Sequence, residues 1–155
     1  MAVLDDRMAA ELLAAARKAA GVAYAPYSGF AVGAAALTLD GTVITGCNVE
    51  NASYPMTMCA ERVAVGTALA AGHRALQAIA VSTPAAPGGT PCGACRQVLN
   101  EFVPRGGTLT VVLEGADGPE QVPLSSLLPR SFGPADLDRA RESEASGDRE
   151  RPDRL

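Results

Sequence analysis

The sequence has no tryptophan, a single histidine (His73), a single lysine (Lys18), and only three tyrosines and three phenylalanines. With so few rings, a core must be built from Ala, Val and Leu, and the aromatics that exist become candidates for other work. Positive charge is also scarce. The formal net charge is -4, and no Lys/Arg cluster precedes the C-terminal tail. Polynucleotide binding draws much of its affinity from neutralised phosphates, so a nucleic-acid partner is disfavoured. No stretch reaches the roughly 20 apolar residues that span a bilayer, so no membrane association is expected. The start, Met-Ala-Val-Leu-Asp-Asp-Arg, lacks the basic opening and apolar run of a signal peptide. A cytoplasmic location follows as an expectation, and with it four cysteines that are thiols or metal ligands rather than disulfides.

What is present is enough for one folded domain. The chain has 155 residues, 48% hydrophobic against 19% charged, which excludes a disordered chain and allows a real core. Asp5 to Ala20 opens on acidic residues and ends at Gly21, the pattern of a helix with dipole-matched ends. Phe30 to Leu39 and Thr42 to Cys47 are β-prone and joined by Asp40-Gly41, a two-residue hairpin signal. Cys59 to Ala71 is helical in composition, Ala75 to Ser82 is an apolar run of strand length, and the Pro/Gly-rich segment from Thr83 to Pro91 is a loop. A helix is expected from Cys92 to about Val103, then strands at Thr108 to Leu113 and near Glu120 to Val122, and a helical turn at Leu124 to Leu128. This order predicts an α/β fold, a three-layer α/β/α sandwich around a mixed five-stranded sheet. The domain is placed at residues 1–133. Residues 134–155 are charged, almost free of large apolar side chains, and expected to be a disordered tail. There is no internal repeat.

The chemistry concentrates in three cysteines. Cys59 stands in Cys-Ala-Glu, and Cys92 and Cys95 stand in Pro-Cys-Gly-Ala-Cys-Arg-Gln. At helical spacing i and i+3 share a face, so Cys92 and Cys95 can address one ion. Free N–H groups in a first helical turn favour thiolate, the form that binds zinc. Two such helix starts, brought together, present three sulfurs to a tetrahedral ion with one position open, which is how catalytic zinc is held. Glu61 lies two residues after Cys59, close enough to move protons without being a ligand. Three thiolates leave zinc with a net negative charge, and Arg62 and Arg96 are expected to donate to the sulfurs and offset it. Two plainer readings compete. Pro-Cys-Gly-Ala-Cys alone can pass for a redox pair, but the upstream Cys-x-Glu, the absent tryptophan and the helix–strand order speak against it. A structural zinc site wants a fourth ligand; the spare candidates are His73, expected at the surface, and Cys47, expected to be a small buried hydrophobe.

These stretches together resemble the small, homotetrameric cytidine deaminases. The resemblance covers about residues 10 to 133. It rests on Ala-Tyr-Ala-Pro-Tyr-Ser-Gly-Phe (23 to 30), Gly-Cys-Asn-Val-Glu-Asn-Ala-Ser-Tyr (46 to 54), Cys-Ala-Glu-Arg (59 to 62) and Pro-Cys-Gly-Ala-Cys-Arg-Gln (91 to 97). It implies one Zn2+ per chain and hydrolytic deamination of cytidine and 2'-deoxycytidine to uridine and 2'-deoxyuridine, with release of ammonia, in pyrimidine salvage. Glu61 then protonates N3 and later the departing amino group. Ala60 and its neighbours around Cys59 read the base edge. Asn48 and Glu50 match the pair that binds the ribose hydroxyls; otherwise they end a strand and cap the next segment. Phe30 matches a ring beside the nucleoside, Phe132 a ring that stacks on the base from a neighbouring subunit, and Tyr54 a residue at the intersubunit edge of the pocket. The plain alternative for both phenylalanines is the core. The partners implied are a pyrimidine nucleoside and a homo-oligomer, a tetramer. Arg130 departs from the small residue common at that position, and the tail is longer than expected. Two other functions stay open: an aminonucleoside antibiotic deaminase of the blasticidin S type, which lacks Asn-Val-Glu-Asn-Ala in this form, and a non-catalytic zinc-binding assembly protein, which has no need of Glu61.

Overall fold

The first helix, α1 (Asp6–Ala20), begins where the Asp5 side chain accepts the Met8 N–H at 2.7 Å, which satisfies one of the orphan donors of the first turn. Asp6 near its start and Arg17 and Lys18 near its end match the helix dipole. Its apolar stripe, Ala9, Leu12, Leu13 and Ala16, is buried. The chain then runs through β1 (Gly33–Thr38), β2 (Val43–Cys47), a 3-10 turn (Tyr54–Met56), α2 (Ala60–Ala70), β3 (Leu76–Ser82), α3 (Gly93–Glu101), β4 (Thr110–Gly115), β5 (Gly118–Pro123), α4 (Leu124–Leu127) and α5 (Pro134–Ala145). The structure is a computed structural model that describes residues 4–145.

The five strands form one sheet in the order β2-β1-β3-β4-β5. Only β3 and β4 pair in parallel, across the α3 crossover; the other pairs are antiparallel. The expected mixed sheet is present. Ala35, Leu37, Ala78, Ala80 and Val112 face α1, whereas Ala34, Ala36, Ile79, Val81, Val111 and Leu113 pack with Ala60, Ala64, Ala68 and Leu99 on the other side. Helices on both faces leave every residue of β1 buried, so the central strands carry no polar alternation. The alanine-rich core has a geometric counterpart. A Cβ on Gly33 would meet the Ala16 carbonyl at 1.9 Å, and one on Gly46 would meet the Ala64 nitrogen at 2.4 Å. Both helices therefore lie directly on strand backbone.

Three expectations need correction. The hairpin turn after β1 is a three-residue loop: Thr38 donates to the Thr42 carbonyl, Gly41 donates back to Thr38, and Gly41 takes φ 86°. Asp40-Gly41 fills the last two places of that loop. The first strand begins at Gly33, not Phe30, because the Asn48 side chain engages the backbone at Phe30 and Val32. Residues 134–145, expected to be disordered, form α5; Asp136 Oδ2 accepts the Gly133 N–H at its start. The rest of the expected tail, 146–155, lies outside the described residues. Among the described residues no helix is long and apolar enough to cross a membrane.

Candidate active site

The site is assembled by two helix beginnings. Cys59 is the N-cap of α2, with extended backbone (φ -71°, ψ 151°), and Cys92 is the N-cap of α3 (φ -65°, ψ 166°). Cys95 sits in the first turn of α3 and is fully buried, Cys92 is exposed and Cys59 is half-buried. A short ladder delivers Cys59. Tyr24 pairs with Val49 and Val49 pairs with Met58, closed by Val49 N–H to Met58 O at 2.9 Å and Met58 N–H to Val49 O at 3.0 Å. The loop after β3 delivers Cys92.

The three sulfurs lie within 4.8 Å of one another, and Cys59 Sγ and Cys92 Sγ are 4.0 Å apart. Tetrahedral zinc with Zn–S of about 2.3 Å has sulfur–sulfur edges of about 3.8 Å, so the donor set and its spacing fit zinc. Neither His73 nor Cys47 belongs to the cluster found among the described residues. His73 is half-buried and pairs with Asp40 at 3.6 Å, and the half-buried Cys47 thiol faces the Val22 carbonyl. Both differ from the surface and core roles expected of them.

Electrostatics divide the thiols. Burial works against the Cys92 thiolate, but the Cys95 N–H, the Cys95 thiol and the Cys59 thiol together bring Cys92 below the ordinary range of a thiol. Neither N-cap sulfur closes a full capping hydrogen bond, so this help comes from proximity to the first turn rather than from a strict cap. Cys95 is pushed well upward, first by burial and then by Glu61 and Cys59. A divalent cation reverses that penalty, because it displaces the proton from a thiol that would otherwise keep it. Glu61 is buried at 4% exposure, and burial raises its pKa above the usual carboxylate value against the opposing pull of its own N–H, the Cys95 thiol and Arg62. A buried carboxyl with a raised pKa beside a metal site is suited to both taking and giving a proton.

The two arginines part company. Arg62 Nη2 donates to the Thr57 carbonyl at 2.8 Å and to Cys59 Sγ at 3.7 Å, as expected. Its Nε is buried without a partner. Arg96 does not reach a sulfur. Its nitrogens donate to Pro91 O (2.7 Å), Leu127 O (2.7 Å) and Thr90 Oγ1 (2.8 Å). One position after Cys95, its side chain runs to Leu127 and to the loop that carries Cys92, so it braces that loop instead of screening charge.

The cytidine and deoxycytidylate deaminase zinc-binding region matches residues 6–109. The chain belongs to this family. The cytidine deaminase of Sporosarcina psychrophila is 45% identical over 133 residues, 85% of this chain and 96% of that protein. That of Mycobacterium tuberculosis is 47% identical over 126 residues, 81% of this chain and 90% of that one. The crystal structure of cytidine deaminase from Burkholderia pseudomallei superimposes with a TM-score of 0.72 at 49% identity, covering 79% of this chain and 97% of that one. As in that zinc-binding family, one Zn2+ per chain is the resident metal.

The remaining predicted residues differ in burial and in the partners they meet. Ala60 is buried as the first residue of α2. Asn48, nearly buried, accepts the Val32 N–H and donates to Phe30 O, both at 2.8 Å. One of its two amide hydrogens remains for another acceptor. Glu50 accepts the Tyr27 N–H at 2.8 Å, the Ser28 N–H at 3.2 Å and the Ser28 hydroxyl. The Ser28 hydroxyl first, then these N–H groups, hold its carboxylate below the usual range. Phe30 (40% exposed), Tyr54 (69%) and Phe132 (60%) all face outward, so neither phenylalanine is core. Tyr54 meets Tyr27 edge to face at 5.8 Å. Sequence reasoning missed Ser28, Thr57, Gln97 and Asn100. Only the Ser-Gly turn near Phe30 offered a local signal, and the others act through backbone carbonyls that no motif reveals.

Proposed function

We propose that this chain deaminates cytidine and 2'-deoxycytidine to uridine and 2'-deoxyuridine, releasing ammonia, as a cytoplasmic homotetramer serving pyrimidine salvage. The observation that carries the reading is the buried Glu61 carboxyl beside three sulfurs spaced for zinc, at the starts of two helices. Cys59, Cys92 and Cys95 hold the metal. When bound, zinc supplies the Lewis acidity that makes water a nucleophile near neutral pH.

Glu61 takes one proton from the attacking water and delivers it to N3 of the pyrimidine; it then takes the proton of the hydroxyl formed on C4 and gives it to the amino group, so that the C4–N bond breaks, ammonia leaves and the C4 carbonyl forms. Such a shuttle contributes about 100- to 10,000-fold in rate. Arg62 draws negative charge from Cys59 and so restores electrophilic strength to a site with three thiolates. Asn48 and Glu50 address the ribose hydroxyls. With Glu50 ionised and the chain at a net charge of -4, a free nucleoside is favoured over a phosphorylated one. Phe30 flanks the nucleoside. Tyr24, Tyr27, Tyr54, Met56, Met58 and Phe132, all exposed in one chain, form the apolar rim that neighbouring subunits cover, and Phe132 stacks on the base in a neighbour's pocket.

Protein carrying zinc at one per chain, mixed with cytidine, is expected to shift the ultraviolet absorbance to that of uridine and release one ammonia per base. No absorbance change would leave the non-catalytic assembly reading standing. Glu61→Gln is expected to keep its zinc and lose turnover by at least about 100-fold; an unchanged kcat would remove Glu61 from the shuttle.

A further inference from the structure

Phe132 stands in a segment, 128–133, that has no regular secondary structure and contains Arg130 at φ 56°. A ring that is 60% exposed gains little from contacts of its own, so its position depends on what holds the backbone. That hold comes from α3, the helix that carries Cys95. Gln97 Nε2 and Asn100 Nδ2 both donate to the Phe132 carbonyl, at 2.9 and 3.0 Å. Ser131 Oγ donates to Asn100 Oδ1 at 3.2 Å, so Asn100 uses both ends of its amide on the same segment. Arg96 Nη1 fixes the segment's entrance at Leu127 O. Gly133 allows the close approach, since a Cβ there would lie 2.8 Å from Asn100 Nδ2.

We propose that Gln97 and Asn100 are positioning residues that clamp the Phe132 carbonyl to α3 and so present the ring to the pocket of a second copy of this chain. The inference rests on the reading of Phe132 as the base-stacking ring. One helix thereby supplies two sulfurs to its own metal centre and aims an aromatic at its neighbour's. Residues 97 and 100 touch neither metal nor substrate, and their effect passes through Phe132 alone.

The test is a mutant cycle in the zinc-loaded oligomer, with KM and kcat for cytidine, zinc content and melting temperature read for each variant. Gln97→Met with Asn100→Leu removes both donors and is expected to raise KM roughly 5- to 150-fold, the effect of two neutral hydrogen bonds, with zinc content and kcat near those of the parent. Phe132→Ala is expected to raise KM at least as much. Combined with Phe132→Ala, the double substitution is expected to add less than about 2-fold, because its target is gone. Gly133→Ala, which displaces the Asn100 amide while leaving both donors in the chain, gives the same KM-selective defect should the double variant fold poorly. A full additional loss on top of Phe132→Ala, or normal KM in both the double variant and Gly133→Ala while Phe132→Ala is impaired, overturns the clamp alone. Normal KM in Phe132→Ala overturns the stacking role and the clamp with it.

Discussion

Replacing Gly46 with alanine is expected to damage the metal centre from about one helical turn away. A Cβ at that position would lie 2.4 Å from the Ala64 nitrogen and 2.5 Å from the Ala60 carbonyl oxygen, whereas ordinary contact starts at 3.4 Å. Gly46 is not among the positive-φ residues, so the backbone itself accepts alanine and the whole penalty is collision. Both obstacles are backbone atoms of α2, so the helix must retreat from β2 by about 1 Å. Overpacking of this kind costs about 1–3 kcal/mol. At about 2–4 °C per kcal/mol for a chain of this size, Tm falls by about 2–12 °C. Cys59 directly precedes Ala60, so a retreating helix stretches the 4.0 Å Cys59–Cys92 spacing away from the tetrahedral edge of about 3.8 Å. Calorimetric melting and the rate of zinc loss to a chelator should therefore worsen together. Gly66→Ala is the control on the same helix. It has open space around it and should gain up to about 1 kcal/mol of helix propensity. A Gly46→Ala protein that melts within about 1 °C of the parent and holds zinc equally well would refute the idea that this contact sets the position of Cys59.

Arg62→Ala removes the one side-chain cation among the described residues that reaches a ligand sulfur; kcat/KM for cytidine is expected to fall about 10- to 100-fold, and full activity would show that the thiolate charge needs no such offset. Asp40 offers a pH signature. The Thr38 hydroxyl first, then the Thr42 N–H, hold its carboxyl down to about 2 from 3.8. A depressed folded-state pKa stabilises above the unfolded value and the benefit disappears as pH falls toward the folded one. Asp40→Asn should therefore lower Tm at neutral pH and converge on the parent between about pH 4 and pH 2; a gap that stays constant over that range would exclude the titration as its source.

The order of events in the chain explains how a shuttle and a metal site share one small region. Helix N-termini are where backbone donors go unspent, and this fold sets two of them against each other at one end of the sheet. Burial then acts with opposite consequences on neighbouring acids. It raises the Glu61 pKa above that of an ordinary carboxylate, and it makes the Cys95 thiol dependent on a cation for its ionised form.

The sequence by itself determined the element order as far as α4, the mixed sheet and the three thiols with their carboxylate. These depend on local periodicity, turn chemistry and motif spacing, all of which are carried by residues close together in the chain. Arg62 was legible for the same reason, as the residue next to Glu61 in the Cys-Ala-Glu-Arg motif. Arg96 was not. Adjacency to Cys95 suggested a role at the sulfur, but a helix turns successive side chains about 100° apart, and the partner that decided its direction, Leu127, is 31 positions away. The clamp on Phe132 was hidden in the same way, because its acceptor is a main-chain carbonyl 32 and 35 positions from its donors. Helix α5 escaped because its charged composition promises little burial, and its start is set by a local Asp136–Gly133 hydrogen bond rather than by an apolar stripe. Close approaches such as Gly46 on α2 belong wholly to the tertiary structure: a glycine in a strand announces nothing until the helix that crosses it is in place.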